Sequence, residues 1–427
     1  MSKPRFVISC PFDTYSGYGA RARDFVKAVI ELDKYQVELL PQRWGETSWN
    51  FCKDHPEWSF LSNYTAKPDW QSVQPDIWMQ CTIPNEFQPV GKYNIGLTAG
   101  IESTACKSEW IDGLNRMDIN LVSSNFAKNT FEKMAYEKKD NNTGKVVEVI
   151  KLLKPIHTVF EGINLKTYKS LPLSEIKTID LSTIPEQFCY LSVGHWMQGA
   201  YGHDRKNIGV TIKQFYEAFK DKPKGKRPAL ILKCSLGVSS YVSRDEILDR
   251  IKSIKSQMNT KNLPNVYLLN GEFNDAEINE LYNHPKVKAM VTLTKGEGFG
   301  RPLLEFSMTG KPIIASGWSG HLDFLHPDHN ILLPGSLEHV HASAANGWLI
   351  TESQWFKVSE KHAMDAYKEV YKKYKQQHTK SKKQKYHVRD NFTHSKMREL
   401  IGNILDHNLP TFSQQVKLNL SQLTKVE

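Results

Sequence analysis

The sequence predicts an α/β fold built from two doubly wound units that face each other across a cleft. Three observations carry this reading. Short apolar runs alternate with amphipathic stretches in βαβα order, the pattern of a mostly parallel sheet wrapped by helices. The pattern runs from residue 5 to about 131, passes a polar connector at 171–187, and restarts at 188. A chain of 427 residues is also too long for one ordinary core and suits two or three domains. In such folds the carboxyl ends of the strands point into the cleft, and ligands bind there. Chemistry is therefore sought in the loops that follow strands.

In the first half, RFVISC (5–10) reads as a strand and Asp13–Gly19 as a polar, glycine-bearing loop. ARARDFVKAVIEL (20–32) reads as a helix with Ala22, Phe25, Val26, Val29 and Ile30 on one face. Strands follow at QVELLP (36–41), DIWMQC (76–81), YNIGLT (93–98) and INLVSS (119–124), then a helix from about Asn125. In the second half, FCYLSVG (188–194) is a strand, followed by the polar loop GHWMQGAYGHDRKN and the helix GVTIKQFYEAFK (209–220). ALILKCS (229–235), NVYLLNG (265–271), VKAMVTLT (287–294) and PIIASG (312–317) are strands, and DAEINELYNH (275–284) is a helix. Residues 367–389 are lysine-dense with interleaved tyrosines, and HSKMRELIGNILDHN (394–408) closes as a helix.

Composition narrows the class. Hydrophobic residues make up 40% and aromatics 11%, enough to build a core and to exclude wholesale disorder. No run approaches the roughly 20 apolar residues of a membrane-spanning helix. The opening MSKPRFVISCPFD reads as a first strand and not as a signal peptide. The six cysteines form no CxxC pair, so reduced, buried thiols and a cytoplasmic location are expected. The formal net charge of +10 favours an anionic partner such as nucleotide phosphate, nucleic acid or acidic lipid. A basic but uninvolved surface is the other reading of that charge.

The densest chemistry is GEGFGRPLLEFSMTGKPII (296–314). It leaves a buried strand, turns through three glycines and enters a helix with Pro302 near its start and Gly310 at its end. The glycines let backbone approach a ligand, and the helix start favours phosphate. Glu297 stands at the mouth of the turn and Glu305 about one turn into the helix. An ionised carboxylate can accept two hydroxyl hydrogen bonds at once. Two acids flanking a phosphate-friendly turn suit a ligand with hydroxyls at both ends and phosphate between them, as in a nucleotide sugar. The competing reading is an ordinary strand–turn–helix with two solvated glutamates.

The same string resembles the E-x7-E signature of retaining glycosyltransferases of the GT-B fold, in the GT4-like group that includes sucrose synthase and bacterial mannosyltransferases. VFEGINLKTY (159–168), Arg205-Lys206-Asn207, NVYLLNGEFNDAEINELY (265–282) and residues 94–131 resemble further family segments in the same order. The resemblance implies two Rossmann-like domains: residues 1–170 on the acceptor side, with a C-terminal helix at about 393–427 packing back on it, and residues 171–392 binding a nucleotide sugar. It implies that Glu297 contacts donor sugar hydroxyls and that Glu305 holds the ribose. Arg205 and Lys206 would neutralise the diphosphate. Gly17, Tyr18 and Gly19 would border it from the first domain, and Gly298, Phe299, Gly300 and Arg301 would line it from the second. Phe273 would lie beside the base. UDP is the commonest donor nucleotide of the group and GDP the second, and the motif requires no further cofactor.

Two departures stand out. The family usually separates its Arg and Lys by several residues, whereas here they are adjacent. Many members carry a histidine after the strand near Thr98, and this chain has none there; Glu102 is the nearest candidate to orient the acceptor or act as its base. No DxD run appears, so no metal is implied, and His195 and His203 read as loop or surface residues.

The acceptor is weakly encoded. Tyr15, Tyr18, Arg21, Arg43, Trp44, Trp49 and Trp58 suit sugar stacking, base stacking or plain core. The lysine–tyrosine segment fits a polyanion: DNA carrying a hydroxymethylated base, as phages modify it, or the acidic membrane beneath a lipid-linked or surface glycan. A sugar-nucleotide epimerase and a nucleic-acid-binding protein remain the readings from other classes.

Overall fold

A computed structural model describes residues 3–140, 142–237 and 239–412. The first unit runs β1 (Arg5–Cys10), α1 (Gly17–Glu31), β2 (Gln36–Pro41), the single turn α2 (Phe51–Asp54), β3 (Ile77–Cys81) and β4 (Tyr93–Leu97). It continues through α3 (Ser108–Asn115), β5 (Ile119–Val122), α4 (Asn125–Lys133), the hairpin β6 (Ala135–Lys139) and β7 (Val146–Lys151), and β8 (Ile156–Thr158). Its six-stranded sheet has the order β2-β1-β3-β4-β5-β8, and all its pairings are parallel.

The second unit opens with β9 (Cys189–His195), α5 (Ile208–Phe219), β10 (Ala229–Ser235), α6 (Tyr241–Ser256), β11 (Val266–Leu269) and α7 (Asp275–Asn283). Then come β12 (Val287–Thr292), α8 (Arg301–Ser307), β13 (Ile313–Ser316) and β14 (Ile331–Leu333). The hairpin β15 (Gly335–His339) and β16 (Gln354–Val358) and the helices α9 (Glu360–Lys372) and α10 (Tyr374–Asn391) complete it, and α11 (His394–Asn408) follows. The sheet order is β11-β10-β9-β12-β13-β14, again parallel throughout.

In each sheet the chain reverses direction of travel at the first strand, β1 or β9. That reversal opens a crevice at the carboxyl ends of the central strands. Both faces of each sheet are covered, which is why the strands read as unbroken apolar runs. Phe6, Ile8 and Cys10 face one buried cluster while Val7 faces another. All six cysteines are buried and unpaired. Helix α11 returns to the first unit, where Ile401 and Leu405 share a core with Phe25 and Val29. Arg398 pairs with Glu31 at 2.7 Å beside them. The last fifteen residues of the 393–427 segment lie outside the described residues.

One sequence expectation shifts at a site segment. The helix expected at 20–32 starts at Gly17, because Ser16 caps it by accepting from the Gly19 N–H at 2.9 Å. A serine cap outweighs the loop preference of the two glycines. Gly17, Tyr18 and Gly19 are therefore the first turn of α1 and not loop. Helix α8 starts at Arg301, where the sequence places it, with Pro302 as its second residue. The lysine-dense stretch is helical, with a break at Lys373 between α9 and α10. Among the described residues, no helix is long and apolar enough to cross a membrane.

Candidate active site

The glycine turn 296–300 joins β12 to α8 at the crevice. Its glycines are required by close packing as much as by any ligand. A Cβ on Gly296 would sit 1.9 Å from the Glu102 carbonyl oxygen, and one on Gly298 2.7 Å from that of Ala99. The two units thus meet backbone to backbone, with the 98–104 loop of the first laid on the turn of the second. Ser123 Oγ, from the first unit, donates to the Ala99 carbonyl at 2.5 Å and lies 3.1 Å from that of Gly298. Gly300 has φ +95°, the left-handed conformation that turns the chain into α8.

Four sequence-predicted groups converge here. Lys206 Nζ donates to both oxygens of Glu297, at 2.6 and 2.8 Å. Arg205 reaches Glu297 Oε2 at 3.4 Å and Glu102 Oε1, from the opposite unit, at 3.5 Å. Its guanidinium also donates to the Gly296 carbonyl at 2.8 Å. The adjacent Arg and Lys therefore reach the same carboxylate, one from each side. Burial by itself would raise the Glu297 carboxyl. Lys206 and Arg205 outweigh that and hold it well below the usual carboxylate range, so it is ionised at neutral pH. The backbone of Glu297 is fixed too: its N–H donates to Ser319 Oγ at 2.9 Å and its carbonyl accepts from the Gly320 N–H at 2.9 Å. A small recess beneath this cluster is lined by Val193, Thr292, Gly300 and Pro302 together with Lys206 and Glu297. A larger hollow of about 450 Å³, between the β15–β16 hairpin and the start of α9, shares no residue with the site.

Glu305 lies one turn into α8 and is almost fully buried. It accepts from Arg301 Nε at 2.9 Å and from the Tyr282 hydroxyl at 3.2 Å. Burial raises its carboxyl to about 7 against the opposing pull of Arg301. Arg301 is shared: its guanidinium also meets Asp24 of α1 at 2.5 Å and Glu161 at 3.8 Å. Three buried carboxylates from both units therefore surround one cation. Expected as a ligand contact, Arg301 spends its charge on joining the units.

On the facing wall, the Tyr18 hydroxyl sits 2.9 Å from Thr98 Oγ1 and accepts from the Ala99 N–H at 3.1 Å. Its ring stacks on Trp44 at 3.7 Å. This bond pins the strand end that carries Glu102. Gly17 is exposed at the start of α1, with open space where a side chain would stand. Gly19 is closed, since a Cβ there would meet the Thr14 carbonyl at 2.4 Å. Phe273 carries Lys233 4.9 Å from its ring centroid, beside the C-terminal edge of the second sheet. The Phe299 side chain is buried against Phe324, with ring centroids 5.0 Å apart, which leaves only its backbone to the cleft. Of the aromatic and arginine candidates for an acceptor groove, Arg21 and Trp58 are core. Tyr15, Arg43, Trp44 and Trp49 are partly or fully exposed. His195 bonds Ser235 and His203 stacks on His341, so the two do not form a pair.

No protein-family model matches the sequence, and no curated protein matches it. Solved structures do. Anabaena HepE in complex with UDP and glucose superposes over 95% of this chain and 100% of its own, with a TM-score of 0.61 at 12% identity. A sucrose-phosphate synthase from Thermosynechococcus elongatus covers 95% and 98%, with a TM-score of 0.60 at 12% identity. A UDP-forming α,α-trehalose-phosphate synthase from Burkholderia vietnamiensis covers 96% and 98%, with a TM-score of 0.57 at 10% identity. The chain has the GT-B fold. At these identities the likeness is one of architecture alone.

Several residues of this GT-B cleft were invisible to sequence reasoning. Asp24 and Glu161 belong to no motif of their own in the sequence, yet both are buried against Arg301. Ser319 and His321 follow β13 and pack under the turn; His321 Nε2 lies 2.7 Å from the Ser316 carbonyl. The one available signal was position, since both follow the carboxyl end of a strand.

Proposed function

We propose that this protein is a retaining glycosyltransferase that moves a sugar from a nucleotide-sugar donor, with UDP as the favoured nucleotide, to a hydroxyl acceptor. The observation that carries the reading is the convergence of Lys206, Arg205 and Glu297 at the glycine turn, with Glu102 facing them from the other domain. A buried carboxylate held between two cations suits a site where a diphosphate arrives and leaves. In the proposed reaction the bond between the anomeric carbon and the distal phosphate oxygen breaks. The acceptor oxygen bonds the same face, and its proton passes to the departing phosphate. Lys206 and Arg205 stabilise the charge that develops on that phosphate. Glu297 accepts hydroxyls of the sugar and Glu305 those of the ribose, while the Phe273 ring with Lys233 borders the base. Glu102 orients the acceptor.

For the acceptor we propose a hydroxymethylated base in DNA, supported by the net charge of +10 and by the partly exposed aromatic groups Tyr15, Trp44 and Trp49 of the first unit. An enzyme acting on such a base would take it out of the stack. The test is a thermal-shift panel of UDP-, GDP- and ADP-sugars, followed by mass spectrometry and NMR of the product with hydroxymethylated duplex. A shift with one nucleotide class and an α-linked product from an α-linked donor support the reading. No shift with any nucleotide overturns it, and turnover of the donor without any acceptor favours an epimerase.

A further inference from the structure

The basic segment is placed by the structure on the far side of the second domain from the cleft. In α10, Lys375, His378, Lys382 and Lys385 recur at i, i+3, i+7 and i+10, a single stripe along the helix. The stripe lies over the amino ends of the strands. Lys382 and Lys385 pack beside Gly310, between α8 and β13. Tyr374 stacks on His378 and sits 5.8 Å from the ammonium of Lys288, the second residue of β12. Lys311, just before β13, joins them; its ammonium donates to the Tyr282 and His284 carbonyls at 2.6 and 3.0 Å. Among the described residues, no carboxylate lies within ion-pair distance of Lys288, Lys311, His378, Lys382 or Lys385. Burial and the neighbouring Lys382, Lys311 and Lys288 lower the His378 imidazole, and burial with Lys288 lowers the Lys311 ammonium to about 7, so the lasting charge of the strip is that of Lys375, Lys382, Lys385 and Lys288.

We infer that the strip formed by Lys375, Lys382 and Lys385 with Lys288 is a docking surface for the phosphate backbone of a nucleic acid. From Lys375 to Lys385 the helix rises about 15 Å, the axial length of roughly four phosphates on one strand. A linear row of cations matches a linear polyanion. A membrane surface fits less well, because α10 has no apolar face to insert: the side it buries is Gln377, Ser381, Gln384 and Val388. The strip borders the amino ends of β12 and β13, opposite the strand ends that carry the site, so it would hold nucleic acid apart from the transfer step and bring the acceptor strand to the enzyme. It deepens the DNA-acceptor reading, yet it is measured without turnover.

The experiment compares the intact protein with its K375Q/K382Q/K385Q variant. Fluorescence anisotropy with a labelled DNA duplex is read from 50 to 200 mM salt, alongside sedimentation with vesicles rich in phosphatidylserine. Removing three phosphate contacts should flatten the salt slope by about 2.7, so that across this range the wild type loses roughly 40-fold more affinity than the variant. Thermal stabilisation by UDP should be unchanged, since none of the three residues touches the cleft. Equal DNA affinity and slope in both proteins would overturn the assignment, as would binding to vesicles but not to DNA. Loss of the UDP response in both proteins would count against the transferase reading and leave this one standing.

Discussion

Replacing Glu297 with Gln keeps the shape of the site and removes one charge. In the native cleft that charge satisfies Lys206 through two bonds, at 2.6 and 2.8 Å, and Arg205 through one at 3.4 Å. Arg205 keeps Glu102, which is partly exposed; Lys206 is left buried with no carboxylate. Removing one partner of a buried pair costs about 3–5 kcal/mol. For a domain of this size that lowers the melting temperature by roughly 6–20 °C. A bound diphosphate restores the missing negative charge. The variant should therefore show a larger melting-temperature increment on adding UDP than the wild type, whose phosphate site is already held by Glu297. On the proposed reading, in which Glu297 accepts the sugar hydroxyls, turnover of the sugar donor should vanish with that charge. The assay is a UDP titration by differential scanning fluorimetry, run beside coupled detection of released UDP. An unchanged melting temperature, or a variant that loses UDP binding together with turnover, would refute the view that Glu297 and the diphosphate share the same two cations.

Donor affinity should depend on pH through Glu305. Its carboxyl is raised to about 7 by burial, and only the ionised form accepts two ribose hydroxyls, so affinity for a UDP-sugar should fall about tenfold from pH 8 to pH 6; calorimetry on Glu305→Gln should show a flat profile. The folded-state value lies above the unfolded one, so the ligand-free protein should lose stability as pH rises from about 4.5 toward 7, the sense opposite to donor affinity. Arg301→Met leaves Asp24, Glu161 and Glu305 crowded without a cation and should destabilise the protein by about 3–5 kcal/mol, with the pH midpoint of donor binding moving upward; an unmoved midpoint would show that Arg301 does not set the Glu305 charge. Gly296→Ala places a methyl group 1.9 Å from the Glu102 carbonyl and should push the domains apart. Transfer should be lost while UDP, which the proposed site holds mainly through the second domain, still raises the melting temperature.

Much of the fold was legible because its signals are local. β1, β2, β10 and α11 have the bounds their residues announce, since an apolar run bounded by polar turns, or an apolar stripe of period 3.6, needs no distant partner to be recognised. The β6–β7 hairpin was not legible: its strands are exposed, and Lys and Glu on both faces hide the alternation that marks a half-buried strand. Helix α6 was missed because its buried stripe is little more than Ile247, Ile251 and Ile254 among charges.

The same division holds at the site. The residues by themselves determined that a glycine turn between strand and helix would carry Glu297 and Glu305, since that follows from spacing and backbone chemistry. They determined nothing about which cation meets which acid. Lys206 and Glu297 are 91 residues apart, and Arg301 and Asp24 are 277 apart; no periodicity spans such distances. Only the tertiary structure decided that the adjacent Arg205 and Lys206 close on a single carboxylate, that Arg301 binds the two domains, and that the lysine-rich helix lies away from the cleft. Those outcomes depend on burial, where a charge must find a partner or shift its proton, and burial is a property of the assembled fold.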